Sequence, residues 1–236
     1  MWPTPAPEPF DSPAHLFEPT WGGHRVLVFV DPAPDGTAGG GTVRLVDGEG
    51  RDLGPVLPEL AGLAVRVAAA SAVLDGELVV ADARGRPDVD GLTTRLAGRP
   101  GRAVALLVYD VLHVEGRWLL AVPLAKRRRE LRRILRPGDE IVAVPAIAGD
   151  GRALFDAVAA QGIPGMLARE AASPYLPGVR SMLWRSVAVR PDASSPGGGV
   201  VADVDADASA ADGTGMGTGP VLALFRRLPL GDDPEG

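Results

Sequence analysis

Cysteine is absent from the 236 residues, and lysine occurs once, at Lys126. Without cysteine there is no disulfide, no thiolate nucleophile and no zinc site of the cysteine type. Any reaction that needs a lysine amine has one candidate, and it lies in an arginine-rich stretch. The three histidines, His15, His24 and His113, are too scattered in sequence to propose a metal site. Aromatic residues make up 5% of the chain, so aliphatic packing must supply most of the core. No apolar run approaches the roughly eighteen residues of a membrane helix. The opening Met1–Phe10 has neither the basic start nor the apolar run of a signal peptide. These absences predict a cytoplasmic protein with no membrane partner.

An excess of basic charge is missing as well. Net charge is −6. All of it falls in residues 191–236, where eight acids face Arg226 and Arg227, while residues 1–190 are neutral. A neutral body with an acidic tail attracts phosphate backbones little, and that attraction sustains most nucleic-acid binding. Hydrophobic residues reach 46% with a mean hydropathy of +0.11, enough for one well-buried domain.

Residues 1–14 form a proline-rich segment expected to be extended. From 15 to 190, short apolar runs alternate with helix-like stretches. His24–Asp31, Thr42–Val46, Val73–Ala81, Ala103–Val111, Ile141–Val144, Met166–Arg169 and Leu183–Val189 read as strands. Leu57–Ala70, with Leu57, Leu60, Leu63 and Ala64 at helical spacing, and Leu124–Arg136 read as helices. Asp150 reads as the N-cap, and Gly162 as the C′ residue, of a third helix carrying Leu154, Phe155, Val158 and Ala159. Strands outnumber helices without strict alternation, which predicts an α+β fold of mostly antiparallel sheets. Residues 191–236, rich in Asp, Ala and Gly, are expected to be disordered. Within them, Pro220–Leu230 (PVLALFRRLPL) is an apolar patch with two arginines. It reads either as a segment folding back on the domain or as a docking motif for a protein partner.

Several segments carry a more specific signal. Glu18-Pro19-Thr20-Trp21-Gly22-Gly23-His24-Arg25 resembles the nucleophile motif of ATP-dependent DNA ligases, Glu-Pro-Lys-Trp-Asp-Gly-Tyr-Arg. Leu45–Leu53 is similar to Leu-x-Ser-Arg-x-Gly-Arg-Asp-Leu, and Val73–Leu78 keeps Leu-Asp-Gly-Glu. Leu106–His113 is similar to the family strand whose aromatic stacks on adenine. Leu119–Arg128 resembles the entry to an outer helix. Asp150–Arg169 follows Gly-x-x-Leu-Phe…Gly-x-Glu-Gly-x-x-x-Lys, and Ser173–Gly178 keeps the family's loop. Arg180–Ala188 is similar to Arg-Ser-x-x-Trp-Leu-Lys-Val-Lys. The segments arrive in the family's order and span Phe17 to Ala188.

The resemblance implies the nucleotidyltransferase fold of the ligase adenylation domain, with ATP and Mg2+ as the family's cofactors. It also implies which chemistry is gone. Thr20 replaces the lysine that attacks the α-phosphorus, and a hydroxyl with no base nearby is a poor substitute for a desolvated amine. Gly22, Gly48 and Pro164 stand at an aspartate, an arginine and a metal-binding glutamate, and Arg169, Ser186 and Ala188 at lysines. No catalytic residue is therefore expected intact. Glu18, Arg25, Glu77, Tyr109 and Arg169 remain as candidate nucleotide-binding residues, and Glu77 is the sole metal candidate. By residue type alone, Asp75-Gly76 reads equally as a turn, and Tyr109 as a core tyrosine. The basic cluster Lys126–Arg129 with Arg132, Arg133 and Arg136 is read as a solvated helix face. No C-terminal oligonucleotide-binding (OB) domain is expected in the 46 residues after Arg190, so DNA is not an expected partner. The expectation is a degenerate adenylation domain that binds adenine nucleotide weakly or acts as a scaffold. The alternatives are a ligase working with non-standard residues, and a protein-interaction module.

Overall fold

The computed structural model describes residues 1–37 and 39–189, and the tail expectations, Pro220–Leu230 included, lie outside the described residues. Two sheets share an apolar interior. The first has the order β1-β11-β10-β2-β9, built from β1 (Trp2–Pro5), β2 (Ser12–Thr20), β9 (Ile147–Gly149), β10 (Gly165–Glu170) and β11 (Arg180–Ala188). The second runs β4-β3-β5-β6-β7, from β3 (His24–Asp31), β4 (Thr42–Asp47), β5 (Ala72–Val79), β6 (Ala105–Val114) and β7 (Arg117–Trp118), and β8 (Ile141–Ala143) joins β6. Pairings are antiparallel except β1 with β11 and β6 with β8.

β5 and β6 hold the centre of the second sheet, and β5 is buried at every residue. On one face Val26, Val28, Leu74, Leu78, Leu106 and Val108 pack with Leu57, Leu60 and Leu63. Each such fully buried side chain is worth about 1.5–3 kcal/mol. On the other face Val79, Leu107 and Tyr109 meet Phe17, Met166, Ala168 and Val187 of the first sheet, and Leu154 and Val158 of α3 (Gly151–Ala160).

Pro58–Arg66 is a 3-10 helix rather than the expected α-helix. Leu57, Leu60 and Leu63 recur every three residues, the period at which 3-10 side chains eclipse. α3 begins where Asp150 predicts, but Asp150 makes no side-chain cap bond. Asp11 accepts from the Arg152 amide at 2.9 Å instead. Gly162 ends the helix at φ +69°, the left-handed conformation open to glycine.

The ordered body does not begin at residue 15. β1 lies in the proline-rich opening, pairs with β11, and buries Met1. β2 and the short α1 (Val89–Leu96) escaped the sequence reading, because Pro13 and Pro19 argue against a strand and α1 buries only Leu92. α2 (Leu124–Ile134) is not simply a solvated basic face, since Arg127 and Arg128 are 0% and 3% exposed.

Candidate functional site

β2 carries Glu18 and Thr20 into the space between the sheets, and the turn after it returns the chain as β3. Gly22 makes that turn at φ +64°. At Gly23 a Cβ would sit 2.2 Å from the Leu78 carbonyl oxygen, so the backbone approach admits only glycine. Thr20 pairs with Gly165 across β2 and β10, and Gly165 with Ala188 across β10 and β11. One row further in, Glu18, Leu167 and Ser186 line up in the same way. The fold thus brings positions 20, 186 and 188 to one end of the first sheet. Pro164 joins them, its Cγ 3.5 Å from where a side chain on Gly22 would begin. Gly48 is elsewhere, in the turn after β4.

Glu77 enters from β5, where Asp75-Gly76 is continuous strand and not a turn. Its carboxylate accepts the Trp21 amide at 2.9 Å, the Gly23 amide at 3.2 Å and the Thr20 hydroxyl at 3.3 Å. The Tyr109 hydroxyl lies 2.5 Å from Glu77 Oε1 and 3.0 Å from the Pro19 carbonyl. A carboxylate does lie beside Thr20, contrary to the sequence expectation of no base nearby. Burial pushes the Glu77 carboxyl above its ordinary value. Burial first, and then the Glu77 charge, push the Tyr109 phenol well above its own.

Arg169 and Glu18 form a buried ion pair at the back of the cleft. Arg169 Nε and Nη2 donate to the two Glu18 oxygens at 2.6 and 2.7 Å, and Nη2 also donates to the Tyr109 carbonyl at 2.8 Å. Nη1 reaches Asp110 at 3.2 Å, and the guanidinium lies 4.8 Å from the Trp184 ring centroid. Burial alone would lower the Arg169 pKa, but the Glu18 and Asp110 charges outweigh it and hold the group firmly cationic. From α2, Arg128 also donates to Glu18, while Arg127 grips Asp110 through two bonds of 2.9 and 2.8 Å.

Arg25 is equally committed. It donates to both Asp75 oxygens at 2.9 and 2.7 Å, to the Met1 carbonyl at 2.7 Å and to the Tyr175 hydroxyl at 2.8 Å. Its guanidinium lies 4.7 Å from the centroid of the Trp2 ring. Met1, Trp2 and Pro3 thereby enter the cleft, where a cavity of about 200 Å3 remains. Thr20, Glu77, Tyr109, Arg25 and Arg169 line it, together with Gly76, Leu167 and Trp184. Glu18 lies behind Arg169, fully buried.

The sequence reading missed Asp75, Asp110, Arg127, Arg128, Tyr175 and Trp184 as parts of this network. One signal was available for two of them. Asp110 interrupts an apolar strand, and a carboxylate buried there needs a cation, which the basic run of α2 supplies.

Comparisons with known proteins follow the same residues. The family described as "ATP dependent DNA ligase domain" matches residues 10–187. The multifunctional non-homologous end joining DNA repair protein LigD of Mycobacterium tuberculosis is 34% identical over 168 residues, 71% of this chain and 21% of that protein. A probable DNA ligase of Sorangium cellulosum is 35% identical over 152 residues, 58% of this chain and 28% of the relative. Among solved structures, mycobacterial DNA ligase D complexed with ATP and MES superposes with a TM-score of 0.65 at 28% identity, covering 79% of this chain and 58% of that one. The chain therefore spans about a fifth of the length of the LigD protein it matches.

Proposed function

The chain belongs to the ATP-dependent DNA ligase family and has the α+β nucleotidyltransferase fold of its adenylation domain, and from that premise we propose a non-catalytic role. In this reading it holds an adenine nucleotide weakly, or serves as a scaffold in DNA repair.

One observation carries the proposal: every charged side chain lining the cleft cavity is already paired within the chain. Arg25 is taken by Asp75, Arg169 by Glu18 and Asp110, and Glu77 by three donors and Tyr109. Adenylation needs a nucleophilic amine, a divalent metal, and cations around a phosphate whose charge grows in the transition state. Thr20, Ser186 and Ala188 offer neither amine nor cation. Gly22 and Pro164 adjoin, so two positions that carry carboxylates in the family's motifs are vacated at one spot. Proline there also removes a backbone donor. The residues present do not fit a magnesium-bound triphosphate.

The remaining room suits a base. About 200 Å3 is less than the ~300–1,000 Å3 of pockets that enclose a drug-sized ligand, and the Tyr109 and Trp184 rings are among its walls. Adenosine and ATP should therefore bind with similar affinity, on the order of millimolar, because each forfeited charge-assisted phosphate contact is worth about 1.5–3 kcal/mol. Titration calorimetry with each ligand, with and without magnesium, tests this. Tight, magnesium-dependent preference for ATP over adenosine would defeat it.

A second reading, a ligase or adenylyltransferase using unorthodox residues, has one observation in its favour. Glu77 stands 3.3 Å from the Thr20 hydroxyl, within reach of a general base. Against it, the same oxygen also accepts the Gly23 amide. A covalent adenylate on Thr20 would establish that reading.

A further inference from the structure

A second, larger cavity of about 760 Å3 opens beyond the cleft, and Met1, Trp2 and Arg25 line both. Its floor is apolar, made by Leu27 and Phe29 of β3, Val73 of β5, Leu112 of β6 and Leu120. Trp2 and Trp118 border it and are 44% and 62% exposed, so two of the protein's exposed large hydrophobics stand on one groove. Apolar side chains gathered in one groove mark a surface on which an apolar segment can dock. The polar edge carries Asp47 and Glu49, which one exposed arginine, Arg51, contacts. The Arg25 charge is answered by Asp75.

We propose that this groove is the docking site of the chain's own segment Pro220–Leu230, bound in cis. The segment is PVLALFRRLPL, the one apolar stretch after residue 190, and its side chains match the floor in kind. Arg226 and Arg227 are the sole cations after residue 190, and they suit an edge where the Glu49 carboxylate stands 75% exposed, while Asp47 is buried and held by Arg51.

Chain length fits as well. Gly178 lines the groove just before β11, and Val189 lies just past the far end of that strand, so about 30 Å separates them at the strand rise. Residues 190–219 connect Val189 to the segment. Thirty residues reach at most about 100 Å when fully extended, so the connection is long enough to bring the segment to the groove. A tether long enough to span the gap gives an effective concentration on the order of millimolar. An intrinsic affinity of only about 100 μM would then keep the groove closed about ten to one. The two ends of the match are independent of whether a nucleotide binds, so this proposal and the preceding one fail separately.

Hydrogen exchange on the full chain, read by mass spectrometry, is the test. The amides of 221–230 should exchange on the order of tenfold more slowly than an unstructured peptide of the same sequence. The protection should disappear in the Leu224→Glu/Phe225→Glu double variant and in Trp118→Glu. Trp118 is exposed, so its substitution leaves the body folded, which unchanged exchange in β5 and β6 would verify. The double variant should also shift tryptophan emission to the red, because Trp2 and Trp118 return to water. Three results overturn the proposal: unprotected amides in the wild-type segment, protection that survives Trp118→Glu, and protection that rises with protein concentration. The last would mean a second copy, and not the same chain, fills the groove.

Discussion

Arg169→Lys would put back the residue type that the family's motif carries, yet it should weaken the protein. Arg169 makes four contacts with three donor nitrogens: two to Glu18, one to the Tyr109 carbonyl and one to Asp110. An ammonium group is a point donor on a flexible stem and cannot span Glu18 and Asp110 together. It keeps one oxygen of Glu18 and loses about two charge-assisted bonds, each worth about 1.5–3 kcal/mol when buried. It also loses the face of Trp184, worth about 0.5–1 kcal/mol. Asp110 retains its two bonds to Arg127, so it is not orphaned. Those terms sum to about 3.5–7 kcal/mol, and because lysine keeps the charge of the buried pair the net loss should fall at the low end, about 3–5 kcal/mol. For a body of this size that corresponds to a fall in Tm of about 6–20 °C. Urea unfolding followed by tryptophan emission reads it directly. Glu18→Gln and the double variant complete a cycle whose coupling should exceed about 1 kcal/mol. A destabilisation under about 1 kcal/mol would refute the reasoning, because Glu18 and Arg169 would then be available to a ligand.

Thr20→Lys alone should give no covalent adenylate after incubation with Mg-ATP. The new amine would lie beside Glu77, which accepts from Thr20 at 3.3 Å, and pairing with a carboxylate keeps a lysine protonated and unreactive. A radiolabelled adduct in that variant would show that Pro164, Ser186 and Ala188 are not the obstacle. Glu77 also predicts a pH dependence. Its folded pKa is raised, chiefly by burial, so its contribution to stability is complete below the unfolded value near 4.5 and is lost as pH rises through the higher folded value. Wild type should therefore lose stability relative to Glu77→Gln on going from about pH 4 towards pH 8. A constant difference across that window would contradict the assigned burial.

The central strands were legible because their signals are strong and local. His24–Asp31 alternates buried and half-buried residues, and the strands ending in Val79 and Val114 are mostly apolar and almost wholly buried. The apolar and glycine positions of the motifs also survive for steric reasons readable in the fold. At Gly76 a Cβ would meet the Leu107 carbonyl oxygen at 2.5 Å. The ion network was not legible, because it joins residues from β2, β6, α2 and β10 that only the tertiary fold brings together. A run of arginines on a helix looks solvated until the carboxylates behind it are placed. Nor could a proline-rich start be seen to reach the cleft, since β1 pairs with β11, nearly the whole chain away.

The most direct test of the account is intact-mass spectrometry of the wild-type protein after incubation with ATP and magnesium. A cleft whose charged side chains are all paired internally, with a threonine at the nucleophile position, predicts an unchanged mass. An added mass of one adenylate, lost on Thr20→Ala, would contradict the account and make the chain an active adenylyltransferase.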